Sequence, residues 1–282
     1  MNRAEIAEIR RVFTDHPLRE SRILARLRRD GVDLEHASER DLADDPRGGI
    51  TDQNHIGGRT LAIALGARAG LRAGMRVLDL CAGLGGTARV LADTLGCRVV
   101  GLEITPARCR DAVSLTRRVG LADRVRFVQG DASALPFADG CFDAVVGQSA
   151  WSHVADKRRL LSEAARVVRA GGVVAFEDAV TGPRAAEHPD AMAALSRYWC
   201  FHLIPAAAWR GHLEACGLRV RTIEDLTGEL AHDAHRILDY LRRQYSGGAA
   251  SPHRERWQGV LALVDVAALC YARFIADQPE AP

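Results

Sequence analysis

A chain of 282 residues, 48% hydrophobic and 26% charged, has the make-up of one α/β domain with additions, or of two small domains. Thirty-eight Lys and Arg balance 36 Asp and Glu, and a formal net charge of +2 gives no electrostatic case for nucleic acid. Seven cysteines, an odd number without a C-x-x-C pair, argue against a disulfide framework or zinc site and for reduced thiols in the cytoplasm.

The start, Met1 to Ile6, lacks an apolar signal core, and no apolar run approaches the ~18 residues of a membrane span. Residues 1–48 read as short polar helices. Within them Arg19, Arg22, Arg26, Arg28 and Arg29 read as a solvated helix face, with a polyanion contact as the other reading. Gly57-Gly58 opens a helix running to about Ala69. From Met75 onward strand and helix patterns alternate. Strands are predicted at Val77–Leu80, Arg98–Leu102, Val125–Gln129, Phe142–Val146 and Val173–Glu177. Helices are predicted at Thr87–Leu95, Pro106–Val119 (capped by Thr105) and Lys157–Arg169. Such alternation implies a parallel sheet with helices on both faces.

After Asp178 the pattern changes. Thr181–Asp190 reads as a loop, and Pro205 leads into a helix ending near Cys216-Gly217. Leu218–Ile223 alternates like a strand. Helices at about 229–246 and 252–268 flank a glycine-rich linker, and Tyr271–Ala276 is a last strand or the end of the second helix.

The stretch Asp79-Leu80-Cys81-Ala82-Gly83-Leu84-Gly85-Gly86 breaks a buried strand on glycines and opens a helix. That lets a ligand touch bare backbone at the helix N-terminus. Glu103 ends the second strand, where a carboxylate can accept both hydroxyls of a ribose. Gly130-Asp131-Ala132 follows the third strand, and an acid there can accept the amine of adenine. The fourth strand runs into Gly147-Gln148-Ser149.

This series resembles the class I S-adenosylmethionine-dependent methyltransferases over roughly residues 50–180. The segment Asp52–Gly58, the turn at 79–86 and Gly147–His153 are similar to the sarcosine/dimethylglycine and phosphoethanolamine N-methyltransferases, and to bacterial natural-product methyltransferases. The resemblance implies an α/β fold: a Rossmann-like, seven-stranded, mostly parallel sheet with helices on both faces, a reversed final hairpin and an added helical lid. It divides the chain into an N-terminal lid segment (1–55), the core (56–228), a lid insertion (229–268) and a last strand with its tail (269–282). Lid helices are also where a homodimer would form.

The cofactor so implied is S-adenosyl-L-methionine. Its binding residues would be Gln53, Asp79, Cys81, Ala82, Gly83, Gly85, Glu103, Ile104, Asp131, Ala132 and Gln148. Cys81 stands where the family turn usually has glycine, so its side chain is expected to point away from the ligand. His153 holds the place of a functional histidine in the phosphoethanolamine enzymes, and its ordinary pKa near ~6.5 suits a base. His55 is the second catalytic candidate. Trp151, Glu177, Tyr198, Trp199 and His202 are candidate contacts of a small-molecule substrate, through cation–π or ionic interaction. Glu177 and Asp178 tilt the acceptor towards an amine or other polar metabolite. His232 and His235 lack a third metal ligand, so no metal is expected.

Four other readings stand beside this one. A nicotinamide-dependent oxidoreductase shares the glycine turn and the strand-two acid, but the chain has no Tyr-x-x-x-Lys pair. A protein that binds the donor without transferring its methyl is also compatible, as is C- or O-methylation of a natural product. Methylation of nucleic acid lacks both the charge and an Asn/Asp-Pro-Pro-Tyr-like tetrad.

Overall fold

The computed structural model describes residues 3–14, 18–45, 47, 49, 51–244 and 252–280. Its strands are β1 (Arg76–Leu80), β2 (Arg98–Glu103), β3 (Val125–Gln129), β4 (Phe142–Gln148), β5 (Val168–Thr181), β6 (Arg219–Asp225) and β7 (Leu269–Asp277). Four of the five residues of β1 are buried, so helices cover this strand on both faces. The sheet order is β3-β2-β1-β4-β5-β7-β6, with β7 antiparallel to both its neighbours and the pairings among β1 to β5 parallel. This is the expected seven-stranded sheet. The order reverses between β1 and β4, and ligands of open α/β sheets bind in the crevice at such a reversal.

The helices in chain order are α1 (Arg3–Thr14), α2 (Glu20–Arg29), α3 (Glu39–Ala43), α4 (Gly58–Arg68), α5 (Gly86–Leu95) and α6 (Pro106–Arg118). They continue as α7 (Lys157–Val167), α8 (Pro189–Trp199), α9 (Ala206–Ala215), α10 (Thr227–Gln244) and α11 (Pro252–Asp265). One face of the sheet packs Leu160, Leu161 and Leu213 against Phe176 and Phe274. The other packs Leu65 and Leu91 against Val77, Val146 and Ile275. A third core joins α8, α10 and α11 to β7 through Leu195, Leu230, Val260, Leu263 and Tyr271.

Several sequence expectations are corrected here. β5 runs to Thr181 because β7 pairs with it from Val173 through to that residue. The segment read as loop therefore begins as strand, and α8, which the sequence reading did not assign, follows it. Thr105 stands at the N-cap of α6, but its hydroxyl is buried without a partner. α2 is no plain solvated face: Ile23, Leu24 and Leu27 are buried, and Arg26 is buried on the carbonyls of Asp41, Leu42 and Asp44. Tyr271–Ala276 is strand. The glycine-rich linker at 247–251 lies outside the described residues. All seven cysteines are unpaired, and no described helix is long and apolar enough to cross a membrane.

Candidate active site

Beyond the ends of β1, β2 and β4 lies a cavity of about 840 Å³, near the top of the ~300–1,000 Å³ range of drug-sized sites. Its floor is the turn from β1 into α5. Gly83 and Gly85 adopt positive φ (58° and 80°), and a Cβ on Gly85 would collide with the Phe127 ring, so glycine is required there. Cys81 shares the positive φ (65°) without that freedom. The residue borders the cavity and packs against the apolar core behind the turn, and burial pushes its thiol pKa up.

Two carboxylates meet at this floor. Glu103 accepts the Gly83 amide at 2.9 Å and the Thr105 amide at 2.7 Å. Asp79 is buried with its Oδ2 unpartnered. Burial first, and then the charge of Glu103, raise its pKa to about 7.

Segment 51–58 covers the start of α5. A buried ion pair, Asp52 to Arg89 at 2.6 Å, pins it there, and Asp233 of α10 accepts the Gly57 amide at 2.8 Å. Within the segment the Gln53 Oε1 lies 2.9 Å from His55 Nε2, which lies 3.2 Å from Thr87 Oγ1. The Thr87 hydroxyl donates to Gln148 Oε1, and Gln148 Nε2 donates to Glu177. His55 Nδ1 lies 3.1 Å from the Ile56 carbonyl. Both ring nitrogens of His55 are therefore engaged inside the protein, and burial lowers its pKa.

His153 differs. It ends a 3-10 turn, Trp151–His153, whose Ser152 amide donates to Asp178; the buried Lys157 ammonium donates to the carbonyls of Trp151 and Ser152 and to that of Val154 just past the turn. Nδ1 lies 3.4 Å from the Cys200 carbonyl, so a neutral ring carries its proton there and Nε2 is the basic nitrogen. Burial is the main reason its pKa falls to about 4. Phe13 of α1 meets the ring edge-on at 5.2 Å, and Phe201 lies 5.0 Å away. The series continues through Trp199, at 6.2 Å from Phe201, to Trp257, at 6.2 Å from Trp199.

A profile described as "Methyltransferase domain" matches residues 78–176. The sarcosine/dimethylglycine N-methyltransferase of Halorhodospira halochloris is 30% identical over 190 residues, 66% of this chain and 67% of that relative. The chain belongs to the S-adenosylmethionine-dependent methyltransferases. The glycine/sarcosine/dimethylglycine N-methyltransferase of Actinopolyspora halophila is 32% identical over 166 residues, 59% of this chain, which spans only 29% of that protein's length. In fold, the geranyl diphosphate C-methyltransferase of Streptomyces coelicolor A3(2) superposes with a TM-score of 0.74 at 18% identity, covering 97% of this chain and 98% of the other.

The residues present fit this methyltransferase family's cofactor. The orphaned Asp79 oxygen can face a cationic part of the ligand, the Glu103 carboxylate can accept a vicinal diol, and the glycine turn leaves room beside them. Gln53, Asp79, Cys81, Ala82, Gly83, Glu103, Ile104, Ala132 and Gln148 line the cavity, as do His55, His153, Tyr198 and Trp199.

Five candidates lie elsewhere. Gly85 shapes the turn from behind. Asp131 sits between two lining residues, Gly130 and Ala132, and accepts the Ser133 amide. Trp151 is fully buried and stacks on Phe176 at 4.3 Å, inside the core. Glu177 is fully buried and bound by Arg273 at 2.6 Å and by Gln148. His202 is exposed outside the cavity. Trp151, Glu177 and His202, expected as substrate contacts, are not brought to the cavity wall.

The sequence reading missed others. Arg108 of α6 is 2% exposed and lines the cavity. It lies over Phe13, close enough to Gly83 that a Cβ there would sit 2.6 Å from Nη2, and its Nη1 has no partner. Tyr271 lines the cavity and bonds Ser149, itself at positive φ. One arginine among several on α6, and one tyrosine in a strand, carry no sequence signal of such roles.

Proposed function

We propose that this methyltransferase moves the methyl group of S-adenosylmethionine to a small-molecule acceptor by in-line displacement, with His153 taking the acceptor's proton. When bound, the cofactor supplies a methyl carbon on a cationic sulfur. Asp79 and Glu103 hold the positive and diol-bearing parts, while the amides of the turn and segment 51–58 enclose them. Arg108 is the guanidinium beside that turn for a negative part of the ligand. Alignment of nucleophile, methyl carbon and sulfur in the cavity supplies much of the acceleration, since the charge is dispersed rather than created.

The observation that carries the proton role is the place of the His153 imidazole on the cavity wall, with Nδ1 turned to the Cys200 carbonyl; burial, by lowering its pKa to about 4, keeps the ring neutral but makes it a weaker base than the ordinary imidazole expected from the sequence. The tilt towards an amine rested on Glu177 and Asp178. Glu177 is spent on Arg273, so that support is withdrawn. Unpaired cysteines fit a reducing, cytoplasmic setting.

The test is release of S-adenosylhomocysteine with a working acceptor. His153→Ala should lower kcat about 10²- to 10⁴-fold, the usual share of a general base, with cofactor affinity within error of the parent. Unchanged turnover removes His153 from the reaction and leaves the cofactor assignment standing.

A further inference from the structure

The cavity is larger than its charged floor. Its outer lobe, under α8, α10 and α11, is walled by Leu195, Leu230, Val260, Leu269, Trp199 and Trp257. Seven of the fifteen Phe, Trp and Tyr residues line the cavity, although aromatics are only 5% of the chain. Three of them, Phe201, Trp199 and Trp257, continue from His153 as a wall of rings, each 5.0–6.2 Å from the next.

Charge in the lobe argues against a cationic guest. Asp233 is engaged by the Gly57 amide and by Arg236 at 2.8 Å. Asp178 accepts the amides of Ser152 and Ala179, both at 2.8 Å. An aromatic wall can hold an ammonium by cation–π contact, but the chain already places its own cation there: the Arg256 guanidinium lies 3.3 Å over the Tyr198 ring and bonds its hydroxyl. A second cation would meet that charge. Among the described residues that wall this lobe, one buried polar atom has no partner. Trp257 Nε1 is buried without a partner, and a buried indole N–H without an acceptor is costly.

We propose that the acceptor is an uncharged, mostly apolar molecule about the length of this ring wall. Its nucleophilic end lies at His153, and an oxygen near its far end accepts a hydrogen bond from Trp257 Nε1. The inference rests on the methyltransferase reading of the site and names the acceptor class that it serves.

Full-length protein saturated with S-adenosylhomocysteine is titrated with three probes: 4,4′-dihydroxybiphenyl, 4-hydroxybiphenyl and sarcosine. Both phenols should bind saturably and quench tryptophan fluorescence, the dihydroxy compound about fivefold more tightly, as one added hydrogen bond allows. Sarcosine should bind more weakly than either. In Trp257→Phe, which keeps a ring but loses the N–H, the preference for the second hydroxyl should vanish while 4-hydroxybiphenyl still binds. Tighter binding of sarcosine, or a preference that survives Trp257→Phe, overturns the proposal. Calorimetric binding of S-adenosylhomocysteine is read separately. Its absence defeats the methyltransferase reading, whereas its presence without phenol binding defeats only the acceptor class.

Discussion

At neutral pH the Asp79 carboxyl sits near its midpoint, because burial and the adjacent Glu103 push its pKa up to about 7. A raised carboxyl pKa means the folded protein binds more protons than the unfolded chain between about pH 4 and 7, so this group's contribution to stability falls as pH rises through that window. A cationic ligand favours the ionised form and reverses the effect. Affinity for S-adenosylmethionine should therefore rise with pH below 7, by up to about tenfold per unit, and level off above it. Asp79→Asn should bind more weakly and flatten the slope. Calorimetry at pH 6, 7 and 8 checks both, and a parent protein with no slope refutes the role of Asp79. His153, with its pKa lowered to about 4, stays neutral across that range. Asp79, Glu103 and His153 were legible in the sequence because each sits at or just past a strand end, whereas Gln53 was singled out only by the resemblance of segment 52–58. Trp151 and Glu177 sit at strand ends too. Their side chains turn into the core, towards Phe176 and towards Arg273 on β7, 96 positions away. No local pattern announces such partners.

Strands were legible as apolar runs wherever they are buried on both faces, which is why β1, β2 and β4 lie where the pattern puts them. The ends of elements were less so. β5 outlasts its apolar run because β7 supplies hydrogen-bond partners as far as Thr181, and α8 follows a stretch of glycine and proline that masks its start. β7 also carries the tie between sheet edge and site. Arg273 is buried and binds Glu177 at 2.6 Å and Glu224 at 2.8 Å, and Glu177 in turn holds Gln148 and so Thr87 beneath the cofactor turn. Removing one partner of a buried pair costs about 3–5 kcal/mol, because the other charge is left uncompensated. Arg273→Leu should lose that much in urea unfolding, and the double variant Arg273→Leu/Glu177→Leu should recover part of it. A double variant no more stable than the single one would show that packing, not the stranded carboxylate, sets the cost.

At the scale of the whole molecule, α1, α8, α10 and α11 together line the outer side of the cavity, so ligand exchange is expected to move part of this cover. α10 and α11 are anchored by their own core, with Leu230, Ala234, Leu238 and Leu263 buried, and by Asp233 on Gly57. α1 is held more lightly. Ile9 is buried against the cavity, Phe13 bridges Arg108 and His153, and the Arg10 Nε donates to the Ile104 carbonyl at 3.1 Å, while Ala7, Glu8, Arg10 and Arg11 are exposed. A helix of 12 residues is marginal in water without tertiary support, and elements with few buried contacts open first. The sequence showed α1 as a polar helix but not that its one large aromatic side chain lies between a buried arginine and the candidate base. α1 is the expected door. Hydrogen exchange of the ligand-free protein should be fastest there, and S-adenosylhomocysteine should slow it more than it slows α10 or α11. Phe13→Ala should abolish that added protection and speed ligand dissociation, since it removes the ring that couples α1 to the site. Equal protection of α1 in the variant, or a larger change in α10 and α11, would place the entrance under the other lid helices instead.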